Sequence, residues 1–230
     1  MLSLAAGQTK VKEQIVMIQT NAKIYEDLKS ILVTREEIAA AVDKLGAQIT
    51  EDYQGKELLL VGILKGSVVF FSDLMRAIDL PLKTEFMAVS SYGAQTKTSG
   101  VVNLVKDLTV DITGMHVLIV EDIVDSGMTL SYLKKYLSTR GAASIKIATL
   151  LDKPERRRVD LKADYFCFTI PDEFVVGYGL DYAEKYRNLP DIGVLSPRIY
   201  NVSRQYVIWR QWRDYKNSLL TTQNSRPLAH

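Results

Sequence analysis

The feature that most constrains this chain is an apolar run that passes directly into an acidic and polar segment, Val117-Leu118-Ile119-Val120-Glu121-Asp122-Ile123-Val124-Asp125-Ser126-Gly127-Met128-Thr129-Leu130. Four consecutive apolar residues, three of them β-branched, predict a strand buried on both faces, as at the centre of a parallel sheet. The strand is expected to end at Glu121 and Asp122, and a helical pattern begins at Leu130. This order of strand, polar loop and helix is typical of an α/β fold that binds phosphate at a helix N-terminus.

Two carboxylates beside a predicted phosphate site need a physical reason, because like charges repel. Carboxylates in this position can accept hydrogen bonds from ribose hydroxyls, or they can hold Mg²⁺. The segment therefore predicts a site for a phosphorylated sugar.

The composition excludes several classes of function. The net charge is +2 over 230 residues, so there is no electrostatic case for nucleic acid as the main partner. No apolar run has the length of a membrane span, and charged residues interrupt the first twenty positions, so we expect a soluble, intracellular protein. The only cysteine, Cys167, is expected to be buried and inert, and the only histidines are His116 and His230. Acid–base chemistry is therefore expected from Asp, Glu or Lys.

The N-terminal half predicts a helix followed by a second buried strand. Thr34 and Glu37 form a capping box, and apolar residues follow at helical spacing. The apolar run 58–64 then leads into Lys65-Gly66-Ser67 and a further helix from Val68. This turn does not have the spacing of a Walker A loop, and taken alone it indicates an ordinary strand-to-helix turn with an exposed lysine.

A polar segment between two predicted strands is a candidate lid. Ser91-Tyr92-Gly93 opens it and Gly100 closes it, between strands predicted at 84–90 and 101–105. Small polar residues between glycines predict a mobile loop on a two-stranded arm. The segment is either a surface hairpin or a lid that keeps water away from a reactive centre.

The C-terminal half adds two strands and a basic tail. The strand predicted at 144–151 ends in Asp152-Lys153-Pro154, and the apolar run around Cys167 predicts another strand. Lys153 and the following Glu155-Arg156-Arg157-Arg158 are each interpreted, on the residues alone, as solvated turn residues. The tail after Ile199 contains both tryptophans among basic residues, and it predicts an amphipathic helix that packs on the domain or on a second subunit. The last ten residues are expected to be disordered.

The stretch Val117 to Leu130 resembles the phosphoribosyl-diphosphate motif of type I phosphoribosyltransferases. Its Glu-Asp-Ile-Val-Asp-Ser-Gly form is similar to that of the hypoxanthine-guanine members, and the segment 170–182 and Arg187 match them as well. The resemblance covers residues 34–198. It implies an α/β fold, in which a parallel-sheet core carries flanking helices, a flexible lid hairpin and a small hood region.

Three parts of the chain are expected on this basis. Residues 1–33 would be an N-terminal extension or hood segment, 34–198 the phosphoribosyltransferase domain, and 199–230 a basic, aromatic C-terminal helix and tail. The implied activity belongs to purine salvage. It is the transfer of a 5-phosphoribosyl group from 5-phosphoribosyl 1-diphosphate to N9 of hypoxanthine or guanine, with release of pyrophosphate.

The resemblance implies a role for each site residue. Asp125 would be the catalytic base that faces purine N7. The residues that bind the phosphoribosyl diphosphate would be Glu121, Asp122, Asp125, Ser126, Gly127, Met128 and Thr129. The pyrophosphate would be held by Lys65, Gly66 and Arg187, and Lys65–Gly66 is the candidate for the non-proline cis peptide of the family's pyrophosphate turn.

The purine site is implied in the same way. Lys153 would donate to the 6-oxo group, Phe174 would stack on the base, and the main chain of Val175 and Asp181 would contact its edge. An ammonium can only donate, so Lys153 would select an oxo over an amino group. Ser91 and Tyr92 would belong to the lid.

Mg²⁺ is the implied cofactor, with Glu121, Asp122 and Asp181 as candidate metal residues. The expected partners are the 6-oxopurine, the sugar diphosphate and further copies of the chain in a homodimer or homotetramer, with no membrane and no nucleic acid. A cytoplasmic location is expected. Met128 departs from family members that have Lys in the phosphate loop, and 5′-phosphate binding is then either weaker or organised differently.

Two alternatives stay open. One is a phosphoribosyltransferase for xanthine or another base, because guanine and xanthine selectivity depends on main-chain geometry near Asp181. The other is a non-catalytic regulator that binds phosphoribosyl diphosphate, for which the basic tail is the supporting feature.

Overall fold

The computed structural model of the protein describes residues 23–91 and 102–201. They fall into two compact units, residues 23–30 with 195–201 and residues Ile31–Val194. In the small unit the Ser196 N–H donates to the Asp27 carbonyl oxygen over 2.9 Å. All predicted site residues within the described ranges belong to the large unit.

The elements alternate between strands and helices, as the sequence predicts. The strands are β1 (Leu28–Val33), β2 (Leu58–Leu64), β3 (Leu82–Ser91), β4 (Val102–Lys106), β5 (His116–Val124), β6 (Ser144–Asp152), β7 (Tyr165–Thr169), β8 (Val175–Val176) and β9 (Ile192–Leu195). The helices are α1 (Arg35–Asp52), α2 (Val68–Ala77) and α3 (Met128–Ser138), and a 3₁₀ turn spans Pro154–Arg156.

A six-stranded sheet in the order β4, β3, β2, β5, β6, β7 forms the centre of the large unit. All neighbouring strands are parallel except β3 and β4, which are antiparallel. A second sheet has three strands in the order β1, β9, β8. The predicted α/β class, with a parallel core and flanking helices, is confirmed.

The central strands are buried on both faces because a hydrophobic core lies on each side of the sheet. On one side Leu60 of β2 and Leu118 of β5 pack with apolar residues of α1 and α2. On the other side Val61 and Ile119 pack with Leu133 of α3 and its neighbours. Adjacent residues of one strand point to opposite faces, which explains the uninterrupted apolar runs in the sequence.

The predicted capping box begins α1. The Glu37 N–H donates to Thr34 Oγ1 over 3.3 Å, and the Thr34 N–H donates to Glu37 Oε2 over 2.8 Å. Together these bonds satisfy two backbone donors at the start of the helix.

The end of the central strand was predicted too early. β5 continues past Glu121 and Asp122 to Val124, and Ile123 and Val124 pair with Leu151 and Asp152 of β6. The two acids lie inside the strand because ladder hydrogen bonds use the backbone and do not require apolar side chains.

Cys167 is partly buried in β7, and burial raises the pKa of its thiol to about 12. The thiol is therefore protonated at neutral pH, as the prediction of an inert cysteine requires. No helix in the described part of the chain has both the length and the hydrophobicity that a membrane crossing needs.

Several predictions concern residues outside the described ranges. They include residues 1–22, the segment 92–101 with Tyr92, and the tail after residue 201 with Trp209 and Trp212. The predicted boundaries of the three chain parts stay a prediction.

Candidate active site

The candidate site lies where parallel strands of the central sheet end. Lys65 directly follows β2, Asp125 follows β5 and Lys153 follows β6. The Lys153 N–H donates to the Val124 carbonyl oxygen over 3.0 Å, which holds the last two turns together. Ligands of open α/β sheets bind at this edge, where strands end and helices begin.

Glu121 and Asp122 are neighbouring carboxyl groups that are unfavourable to ionise in this site. Burial raises the pKa of Glu121 well above its ordinary value, and the neighbouring Asp122 carboxylate raises it further. Burial also raises the pKa of Asp122, to about 6, although the Ile123 N–H donates to its Oδ1 over 2.8 Å. Glu121 Oε2 is buried and has no hydrogen-bond donor among the described residues. Glu121 therefore lacks the partner that a buried carboxylate usually has.

Two glycines allow three segments to meet beside these acids. A Cβ built on Gly66 would lie 1.7 Å from Asp122 Oδ2, and a Cβ built on Gly179 would lie 2.1 Å from the Gly66 carbonyl oxygen. Real side chains do not fit such distances, so only glycine is compatible with this stack. The turn after β2, the strand β5 and the loop around Gly179 are thereby in contact.

The cis peptide bond was assigned to the wrong residue pair. It joins Leu64 to Lys65, at the end of β2, and not Lys65 to Gly66. The resemblance had indicated the turn, and Gly66 within it leaves room for the Asp122 carboxylate.

The predicted phosphate loop leads into α3. Gly127 precedes the helix with a φ of +77°, and the Met128 N–H donates to Ser126 Oγ over 3.4 Å. Met128 is an exposed residue, with 38% of its surface accessible. With Thr129, these residues form the start of a helix, where backbone N–H groups favour anions.

Two arginines interpreted as solvated turn residues contact this loop. Arg157 donates through Nη1 to the carbonyl oxygens of Val124 (2.9 Å) and Asp125 (2.6 Å), and it pairs with Asp152. Because these acceptors are main-chain atoms at the end of β5, Arg157 fixes the backbone from which the loop starts.

Arg156 contacts the predicted base itself. Its Nε donates to Asp125 Oδ1 over 2.6 Å, and its Nη1 donates to both oxygens of Asp172 at 3.2 and 3.3 Å. One guanidinium thus bridges the loops that follow β5 and β7. Nothing in the local sequence pattern indicates this, because the three residues are far apart in the chain.

The predicted purine residues lie around a buried lysine. Lys153 is 7% exposed, its Nζ donates to the Glu173 carbonyl oxygen over 2.5 Å, and Asp172 lies 3.7 Å away. Phe174 is 42% exposed and meets Tyr182 edge to face, with ring centroids 5.6 Å apart. An exposed ring beside a buried ammonium is a surface on which a flat polar base could bind.

The two cationic residues predicted to bind pyrophosphate, Lys65 and Arg187, are already paired with acids. Arg187 donates through Nη1 to the Gly179 carbonyl oxygen over 2.8 Å, and its Nη2 lies 2.8 Å from Asp181 Oδ1. Lys65 Nζ lies 3.0 Å from Glu184 Oε2, an acid that sequence reasoning had missed. The Arg187 Nε is buried without an acceptor among the described residues.

No group of three or more His, Cys, Asp or Glu side chains in residues 23–91 and 102–201 is arranged to hold a metal ion. Asp122 and Asp181 are nevertheless close enough for Asp181 to raise the pKa of Asp122, and Glu121 Oε2 has no donor. Of these carboxylates, Glu121 has an oxygen with no partner in the described residues and Asp181 is paired with Arg187. Carboxylate oxygens suit Mg²⁺, provided that other oxygen ligands come from a bound molecule. The donor set therefore fits the ion.

Other features lie outside this group of residues. A cavity of about 650 Å³ lies between α1, α2 and the segment 187–190. Arg187 is the only candidate site residue among the described residues that line it. Of the two lid residues, Ser91 ends β3, and its strand pairs antiparallel with β4 as the predicted arm requires.

Comparison with known proteins agrees with this geometry. Residues 10–183 match the model of the phosphoribosyl transferase domain family. The hypoxanthine-guanine phosphoribosyltransferase of Streptococcus pneumoniae is 58% identical over 175 residues, which are 76% of this chain and 97% of that protein. The enzyme of the same name from Bacillus subtilis is 53% identical over 174 residues, 76% of this chain and 97% of that protein.

A solved structure gives the same result. The hypoxanthine phosphoribosyltransferase of Staphylococcus aureus superimposes with a TM-score of 0.76 at 52% identity, and the match covers 78% of this chain and 98% of that one. The chain therefore belongs to the phosphoribosyltransferase family, within its hypoxanthine-guanine branch.

The unusual environment of Asp122 gives a test of stability. Its folded-state pKa of about 6 lies above the value of about 4 for an unfolded chain. Between these values the folded protein holds a proton that the unfolded chain releases, so the free energy of unfolding should fall as the pH rises from 4 to 6. Asp122→Asn should be more stable than the parent at pH 8 by roughly 1–3 kcal/mol, and its stability should depend less on pH in this window.

Urea unfolding between pH 4 and 8 measures this difference. Asp160→Asn, at an exposed aspartate, is the matched control and should unfold like the parent. Equal stability of parent and Asp122→Asn at pH 8 would contradict the assignment of a costly buried carboxylate.

Proposed function

We propose that this protein is a purine-salvage enzyme that transfers a 5-phosphoribosyl group from 5-phosphoribosyl 1-diphosphate to N9 of hypoxanthine or guanine. The products are IMP or GMP and pyrophosphate. The observation that carries the proposal is the meeting of an acid-rich phosphate loop, a buried lysine beside an exposed aromatic ring, and two cations at one edge of the sheet. The relatives named hypoxanthine-guanine phosphoribosyltransferase support the choice of substrates.

The sugar phosphate is assigned to the end of β5. Backbone N–H groups of the loop Asp125 to Thr129, with the hydroxyls of Ser126 and Thr129, would bind the 5′-phosphate. Glu121 and Asp122 would accept hydrogen bonds from the ribose hydroxyls. Met128 can contribute only its backbone N–H, so we assign it no side-chain role.

The reaction exchanges one bond at C1 of the ribose for another. The C1–O bond to pyrophosphate breaks, the bond from purine N9 to C1 forms, and a purine proton must be accepted. Asp125 is the group that we assign to take this proton, at purine N7. The Arg156 Nε occupies Oδ1 of Asp125, so Oδ2 is the oxygen left for the base.

The purine would be recognised by its 6-oxo group. The Lys153 ammonium can only donate, so an oxo group is accepted and the amino group of adenine is refused. Phe174 would stack on the base, and the main chain of Val175 and Asp181 would contact its other edge. Lys153 is buried and keeps its bond to the Glu173 carbonyl, and a further ammonium N–H without an acceptor is costly away from water, which makes this discrimination strong.

The leaving pyrophosphate would be held by the turn Lys65-Gly66 and by Arg187, whose planar guanidinium suits phosphate oxygens. Glu121, Asp122 and Asp181 would hold Mg²⁺ together with substrate oxygens. When bound, the ion would neutralise negative charge on the departing group. Ser91 and Tyr92 are assigned to a lid that excludes water from the ribosyl centre.

The setting of the enzyme is part of the same proposal. We place it in the cytoplasm as a homodimer or homotetramer, acting on two small molecules without a membrane or nucleic acid.

Release of pyrophosphate, followed with hypoxanthine, guanine, xanthine and adenine in parallel, tests the function. Turnover with the first two and not with adenine is expected. Xanthine as the preferred base would support the alternative specificity, and no turnover with any of the four would refute the enzyme hypothesis.

The role of Asp125 predicts a large loss of rate on substitution. Asp125→Asn should lower kcat by about 10²-fold or more, because the amide cannot accept the purine proton. Steady-state kinetics with hypoxanthine measures the effect, and an unchanged circular dichroism spectrum shows that the fold is intact. Asp160→Asn serves as the control, and near-normal turnover of Asp125→Asn would remove this residue from its role.

The role of Lys153 predicts a change in specificity. Lys153→Ala should reduce the preference for hypoxanthine over adenine in kcat/KM by roughly 10–100-fold, because a charged hydrogen bond to the 6-oxo group is lost. The KM for phosphoribosyl diphosphate should change less.

Lys153→Met keeps the buried volume and should show the same loss of preference, which separates recognition from packing. If only phosphoribosyl-diphosphate binding suffers in both variants, Lys153 belongs to the phosphate site.

A further inference from the structure

One carboxylate oxygen contacts both cations that we assign to the pyrophosphate. Glu184 Oε2 lies 3.0 Å from Lys65 Nζ and 3.6 Å from Arg187 Nη2. The hydrogen bond and charge of Lys65 hold the pKa of Glu184 below its ordinary value, so the carboxylate is ionised at neutral pH. An anion that belongs to the chain thus lies where two cations converge.

The backbone holds Glu184 in this position. Its N–H donates to Asp181 Oδ2 over 2.9 Å, and Tyr182 and Lys185 exchange two backbone hydrogen bonds of 3.1 Å around it. Glu184 itself has a φ of +63°, and Ala183 before it has +52°, values that non-glycine residues seldom adopt. The turn is therefore specified by its own hydrogen bonds and does not need the Glu184 carboxylate.

The Glu184 side chain, in contrast, can move away from Lys65 and Arg187. The side chains of Glu184 and Lys65 are 67% and 69% exposed, and ion pairs between exposed groups are weak. A diphosphate carries more negative charge than a carboxylate and offers more acceptor oxygens to the same two cations. It can therefore replace the carboxylate at this position.

We propose that Glu184 is an internal anion that occupies the pyrophosphate position in the free enzyme and is displaced by the diphosphate group. This inference rests on the proposed function, because it takes Lys65 and Arg187 as pyrophosphate-binding residues. Competition by Glu184 lowers the affinity for pyrophosphate and so favours its release as product. Glu184 is thus a residue that tunes the leaving-group site.

Binding of inorganic pyrophosphate without divalent cations tests the idea. Isothermal titration calorimetry in EDTA at a fixed low ionic strength measures the competition between pyrophosphate and the Glu184 carboxylate alone. Glu184→Gln keeps the backbone N–H and the side-chain length, and it should bind pyrophosphate roughly fivefold more tightly than the parent. Glu155→Gln removes the same charge from the exposed 3₁₀ turn, and its affinity should stay within about twofold of the parent.

A second variant separates competition from a general charge effect. In the Lys65→Gln background, Glu184→Gln should increase the affinity for pyrophosphate by less than it does in the parent, because one of the two cations that both anions bind is missing. The inhibition constant of pyrophosphate as product should fall in Glu184→Gln by the same factor as the dissociation constant. Equal or weaker pyrophosphate binding by Glu184→Gln, or an equal gain by Glu155→Gln, would overturn the inference.

The two proposals fail in different ways. If the parent releases pyrophosphate from its substrates but Glu184→Gln binds pyrophosphate no more tightly, the internal-anion role is wrong and the proposed function stands. If the parent turns over none of the four purines, the proposed function fails whatever the calorimetry shows.

Discussion

The candidate site depends on the parallel pairing of β5 with β2 on one side and β6 on the other. Gly62 pairs with Val120, and Val124 pairs with Asp152. Because the three strands run in one direction, the turns that follow them meet at the same edge of the sheet. Cores on both faces hold this register, since a shift by one residue would turn every buried side chain to the opposite side.

Charge in the site is distributed unevenly. Arg156 pairs with Asp125, Glu184 with Lys65, and Asp181 with Arg187. Four of the groups that we assign to substrates or Mg²⁺ are therefore paired within the chain. Glu121 and Asp122 differ, because burial raises the pKa of both carboxyl groups and Glu121 Oε2 has no donor in the described ranges. Binding of the diphosphate would thus displace Glu184 from Lys65 and Arg187, and a bound substrate or ion would supply the partner that Glu121 lacks. Burying these two carboxyl groups destabilises the fold, so their presence is explained by the binding function and not by stability.

Much of the fold was predictable because its signals are local. The capping box of Thr34 and Glu37 defines the start of α1, and the apolar run 58–64 coincides with β2. The strand end at Glu121 was predicted wrongly, because polar side chains suggested a loop while the backbone ladder with β6 continued to Val124. The cis bond was placed one residue late, because the family resemblance identified the turn and not which of its peptide bonds is cis.

The amino-acid sequence was sufficient for the α/β architecture, the family and the residue types available for chemistry, because apolar periodicity and a contiguous motif lie within short stretches of chain. The pairing of charges became visible only in the folded chain. Arg156 and Asp125 are 31 residues apart and Lys65 and Glu184 are 119 apart, so no local pattern connects them. The same is true of the stack of Gly179, Gly66 and Asp122, which exists because three segments meet at the end of the sheet with no room for a side chain. Contacts of this kind depend on the packing of distant segments, and that packing is what joins separate residues into one site.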